Sequence, residues 1–188
     1  LEEIQQLDSS GKIKRIFWKF PIPSIEGKID IAFLHLNVTS EGNSNRIAQF
    51  KIYGSDSSSW DRNSTNATMN TVFSGVTYLG ERKGLGCLLE AGDQIIDVGG
   101  HPYLGVYDAI FAAIPGFSES QINADSFITL VIDDIENTRA TSSVTKVNNP
   151  TFGRDDLSQS ARKTIYGTFS GNSLRPYVSI GYVPPAID

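Results

Sequence analysis

Two histidines, His35 and His101, are the chain's only imidazoles, and Cys87 is its only thiol. Imidazole is the usual base with an ordinary pKa near neutral, and thiolate a common soft metal ligand, so catalysis is sparsely provided for. By period-two alternation His35 flanks apolar positions on a strand, so it reads as a solvated or hydrogen-bonded structural histidine. His101 lies in the turn-rich run Gly99-Gly100-His101-Pro102-Tyr103, a place from which a side chain can touch a ligand. No local motif assembles a Ser-His-Asp set. No Gly-x-x-x-x-Gly-Lys-Ser/Thr run cradles phosphate, and Arg82-Lys83-Gly84-Leu85-Gly86 reads as a turn. A lone cysteine makes neither an internal disulfide nor a zinc site.

Carboxylates and aromatics are better supplied. Asp133-Asp134 with Glu136, and Asp155-Asp156, read as loops beside strand ends. Calcium takes six to eight oxygen ligands, often from such loops, so a structural calcium on Asp133, Asp134, Asp155 and Asp156 is one expectation. Solvated acidic loops are the other, since no Asp-x-Asp-x-Asp spacing is present. Sugar binding needs a flat aromatic face for the apolar CH side of a pyranose, with amides, carboxylates or guanidinium groups for its hydroxyls. Lys19, Lys51 and Tyr53 fall on outward strand positions by alternation, while Arg82, His101 and Tyr103 fall at loop rims. Trp60 has two readings, a packing tryptophan at a strand end or a sugar platform.

The elements that must position these groups are mostly strands. In Arg15–Phe20, Ile16, Trp18 and Phe20 share a face, and Pro21-Ile22-Pro23 ends the run because proline cannot donate to a ladder. Ile29–Val38, Ile47–Tyr53, Val72–Leu79, Cys87–Glu90, Gln94–Val98, Phe127–Ile132, Lys163–Phe169 and Tyr177–Val183 read as further strands. The polar stretch Gly54–Asn70 reads as a long loop carrying Trp60, and so does the run from Asp133 to Gln159. Val106–Ile114, closed by Pro115-Gly116, reads as the one helix. Many short strands with one helix predict an all-β fold, a jelly-roll β-sandwich of two antiparallel sheets with one short helix. Residues 1–183 read as a single domain and 184–188, opening at Pro184-Pro185, as the start of a C-terminal linker.

Composition bounds the rest. The chain has 188 residues, 16 Lys and Arg against 21 Asp and Glu, and a net charge of -5. With no basic cluster, nucleic acid is not the expected partner. The longest apolar runs fall far short of the roughly 20 residues that span a bilayer, so no membrane span is expected. At 10% aromatic residues the chain is too hydrophobic for disorder. Asn37-Val38-Thr39, Asn63-Ser64-Thr65 and Asn66-Ala67-Thr68 match the N-glycosylation acceptor pattern.

Five pieces in order resemble the DNRLRE or disaggregatase-related domains. They are Ile16-Phe17-Trp18-Lys19-Phe20 before Pro23; Ile29–Leu36; Phe50-Lys51-Ile52-Tyr53 leading to Trp60-Asp61; Ile96-Asp97-Val98; and Ile165–Phe169 with Arg175-Pro176-Tyr177-Val178 and Tyr182. The resemblance runs from about Lys14 to Tyr182. The chain departs from the family pattern at Met69 (usually Trp), Gly99 (usually Thr) and Phe169 or Ser170 (usually Glu). The resemblance implies a jelly-roll sandwich appended to a large secreted or cell-surface protein.

The resulting expectation is a non-catalytic carbohydrate-binding module of a secreted or surface polysaccharide-active protein. Its partners would be a polysaccharide or glycan and the other domains of the parent protein. Structural calcium is the one cofactor expected. The alternatives are a structural or adhesive module and, third, a polysaccharide lyase using His101 and Tyr103.

Overall fold

The computed structural model describes residues 1–22, 25, 27–41, 50–57, 59–82, 95–98, 109–114, 116–118, 127–134, 138–147, 149–152, 163–165, 167 and 175–187. They form two antiparallel sheets and one short helix, the all-β sandwich that the alternation predicts. The strands are β1 (Glu2–Asp8), β2 (Ile13–Pro21), β3 (Lys28–Glu41), β4 (Phe50–Ser55), β5 (Thr77–Arg82), β6 (Ile95–Val98), β7 (Ala109–Ala113), β8 (Phe127–Asp134), β9 (Thr141–Thr145), β10 (Thr151–Phe152), β11 (Lys163–Ile165) and β12 (Tyr177–Val183). The helix α1 spans Asn66–Ser74. The first sheet runs β5-β4-β8-β2-β1-β9. The second runs β10-β11-β3-β7-β6, and the long β3 also pairs with β12.

The alternation in β2 and β3 decides what lies between the sheets. Ile16, Trp18 and Phe20 meet Ala32, Leu34 and Leu36 there, with Phe50, Ile52, Ile128, Leu130 and Ile132 beside them. Burying side chains of this size is worth about 1.5–3 kcal/mol each, which holds the layers together. The opposite face of the first sheet carries a second cluster: Ile4, Phe17 and Val131, roofed by Trp60 and by Met69 and Val72 of α1.

Three expectations change. Residues 109–113 form β7 rather than a helix, bordered by β3 on one side and β6 on the other. A short apolar run fits a doubly bordered strand as well as a helix, and periodicity alone does not separate them. The helix instead begins in the polar stretch read as the loop Gly54–Asn70 and takes the first three residues of the strand read at Val72–Leu79, leaving β5 to start at Thr77. Thr65 caps it, its Oγ1 accepting from the Thr68 amide at 3.2 Å, and only Met69 and Val72 need burying. Finally, β1, β9 and β10 add strands where none are read. In β1 the buried positions include Glu3, Gln5, Gln6 and Asp8, so hydrophobic alternation is absent. Those polar groups have partners: Glu3 Oε2 accepts from Trp18 Nε1 at 2.6 Å, and Asp8 Oδ1 accepts from the Ser10 and Lys12 amides.

Candidate functional site

The site is built from the outward face of the second sheet. Since Ala32, Leu34 and Leu36 point into the core, Ile31, Phe33 and His35 point away from it. In β12, Val178 and Ile180 pack on the core, which turns Tyr177, Ser179 and Gly181 outward beside them. The register sets Tyr177 opposite His35, Ser179 opposite Phe33 and Gly181 opposite Ile31.

Aromatic rings order this face. Tyr177 and His35 stack with centroids 4.1 Å apart and planes 12° from parallel, and Phe33 meets His35 edge-on at 6.5 Å. His35 is 9% exposed, whereas Tyr177 is 48% and Ile31 41% exposed. His35 Nε2 and Ser179 Oγ are 2.6 Å apart. Burial pushes the His35 imidazole below its ordinary pKa of 6.5, since a cation is costly away from water. Where β12 begins, a cleft of about 340 Å³ opens between Leu1, Phe20, Ile22, Arg175, Tyr177 and Val178. Its lining residues are mostly apolar, with one arginine and one tyrosine among them. Such a surface can stack a ring and bind hydroxyls or carboxylates at its rim.

The residues singled out in the sequence fall elsewhere. Lys19, Lys51 and Tyr53 do share one face, the outer face of the first sheet, but α1 and Trp60 are packed on it. Lys19 donates to the Trp60 carbonyl and sits 5.0 Å from the indole centroid, and burial lowers its pKa. Trp60 is 2% exposed, meets Phe17 edge-on and donates to Thr129 Oγ1 at 2.9 Å. It therefore packs, and presents no open face to a sugar. Tyr53 lies against Phe73 and Tyr78. Lys51 stands opposite Asp133 in the ladder, and Arg82 closes β5 opposite Phe50. His101, Tyr103, Asp155 and Asp156 lie outside the described residues.

Asp133 and Asp134 belong to β8 rather than to a loop, and neighbours on a strand project to opposite faces. Asp133 pairs with Arg15 at 3.5 Å; burial raises its pKa, against the pull of Arg15 and Lys14. Asp134 is buried. Among the described residues no group of three or more His, Cys, Asp and Glu side chains could hold a metal ion. No described helix is long and apolar enough to cross a membrane.

Sequence reasoning missed Arg175, Tyr177 and Ser179 as site residues. Arg175-Pro176-Tyr177-Val178 stood out as a motif, but nothing local marks Ser179 or ties it to His35, 144 residues away. No family model, curated protein or solved structure matches this chain. The resemblance to the DNRLRE domains thus rests on the quoted motifs. What fold and site define together is a class: a β-sandwich with an aromatic outer face and an arginine-lined cleft beside it.

Proposed function

We propose that this domain is a carbohydrate-binding module of a secreted or cell-surface polysaccharide-active protein, one that holds glycan and does not cleave glycosidic bonds. The observation that carries the reading is the half-exposed Tyr177, stacked on His35 and bordering the Arg175 cleft. An aromatic ring already held by a neighbour loses little freedom when a sugar settles on it, so more of the contact energy appears as affinity. Arg175 supplies the hydrogen-bond fork for hydroxyls or a carboxylate.

Affinity electrophoresis through gels containing neutral or acidic polysaccharides tests this. Wild type is expected to be retarded by at least one of them, and Tyr177→Ala to weaken the retention by about tenfold, equivalent to ~1.4 kcal/mol. Unretarded migration in every gel sinks the reading. One observation favours an adhesive module instead. Strand β12, Tyr-Val-Ser-Ile-Gly-Tyr-Val, carries no charge, and among the described residues it pairs only with β3. Uncharged sheet edges invite pairing with another chain. Concentration-dependent dimerisation without glycan retention would support that second reading.

A further inference from the structure

The same face holds a nucleophile and a base in contact. Ser179 is the diagonal neighbour of His35 across the β3–β12 ladder, where side chains on one face are within reach of each other. The Oγ to Nε2 distance of 2.6 Å is that of a formed hydrogen bond. Tyr177 stacked on the ring and Phe33 at its edge fix the imidazole plane. We propose that Ser179 and His35 form a nucleophile–base dyad that accepts the acyl group of a short-chain carboxylic ester.

The chemistry needs His35 neutral, with its proton on Nδ1, so that Nε2 accepts from the serine hydroxyl. Burial favours the neutral ring at pH 7 and is the one cause of its lowered pKa among the described residues. Tyr177 is the titratable side chain against it from β12, and β7 places Phe111 opposite it in the ladder. Ser179 Oγ bonds to the carbonyl carbon as its proton passes to Nε2. The bond from that carbon to the alcohol oxygen then breaks, and the alcohol leaves with the proton from Nε2. Water adds to the acyl-serine, giving one proton to Nε2. The carboxylic acid departs, and Ser179 Oγ regains that proton. The net reaction is ester plus water giving acid plus alcohol, with nothing oxidised or reduced.

Alternate backbone N–H groups of β12 point away from β3, its one ladder partner among the described residues, and in the proposed reaction they would donate to the developing oxyanion. The acyl group must be small. The Ile31 side chain sits over Gly181, 2.8 Å from where a Cβ there would stand, and Tyr177 walls the other side of Ser179. If the alcohol is a sugar hydroxyl, the inference rests on the glycan reading; with a chromogenic alcohol it does not.

The test treats the intact protein with a fluorophosphonate probe and with p-nitrophenyl acetate. The expected results are one covalent adduct mapping to Ser179 and ester hydrolysis that falls at least tenfold in Ser179→Ala. The rate should rise with pH through a midpoint below the usual histidine value. Labelling that is absent, or equal in Ser179→Ala, overturns the dyad. So does wild-type labelling in His35→Gln shown by circular dichroism to be folded. Glycan retention measured on the same samples is independent: a dyad that fails while retention persists leaves the binding reading standing, and the reverse also holds.

Discussion

His35 shows how one residue's surroundings set its behaviour. Its ring is stacked, hydrogen-bonded to Ser179 and 9% exposed, and burial holds its pKa below 6.5. In the unfolded chain the imidazole recovers its ordinary pKa, so on acidification the unfolded state binds the proton first. The stability that His35 contributes in its neutral form is complete above about pH 6.5. It is lost as the pH falls through the lower folded value. Thermal melts at pH 7.5 and pH 5 should therefore show a larger drop in Tm for wild type than for His35→Gln. Equal drops would mean that the imidazole is not the group responsible. Asp133 works in the opposite sense. Burial raises its pKa, so protonation on lowering the pH relieves a cost in the folded state. The comparison with His35→Gln cancels this background because Asp133 is common to both proteins.

At the scale of elements, helix α1 is the roof of the second apolar cluster. Met69 is fully buried against Ile4, Phe17, Trp60 and Val131, and Met69→Ala is expected to cost about 2–5 kcal/mol in urea titrations. Thr65→Ala removes only the cap and should cost about 0.5–2 kcal/mol. If Met69→Ala proved as mild as Thr65→Ala, the helix would not be a packed part of the fold. The same helix shows what the sequence made legible. Strands β2, β3, β4, β8 and β12 were readable because their inward residues are large and apolar, at period two. Helix α1 was not, because its run of Asn, Ala and Thr buries just Met69 and Val72. Strand β1 was not, because its buried side chains include Glu3 and Gln5, whose partners lie elsewhere in the chain or act on each other. Polar burial of this kind becomes favourable only once the partner is in place. The site was hidden for the same reason. Tyr177 was visible as part of a strand, but its stacking on His35 exists only through the β3–β12 ladder.

Across the whole molecule, that ladder depends on one close approach. Val183, at the end of β12, pairs with Lys28 at the start of β3, and Gly27 sits directly against this junction. Its φ of +142° is a conformation that side chains rarely adopt. A Cβ there would stand on the Val183 carbonyl oxygen and 3.1 Å from Pro184 Cα, both backbone atoms with no rotamer by which to yield. Gly11 provides the control: its φ is +80°, but nothing lies within 4 Å of its would-be Cβ. Gly11→Ala should cost only the left-handed conformation, roughly 1–2 kcal/mol. Gly27→Ala combines conformational strain of about 1–3 kcal/mol with overpacking of about 1–3 kcal/mol. Relief would come from moving the end of β12 off β3, and β12 carries both Tyr177 and Ser179. Gly27→Ala is therefore expected to lower Tm more than Gly11→Ala and also to weaken glycan retention at temperatures where it is still folded. Gly11→Ala should leave retention at the wild-type level. If both variants retained glycan equally, binding would not depend on how β12 is seated. The Tyr177 face would then lose its claim to be the site.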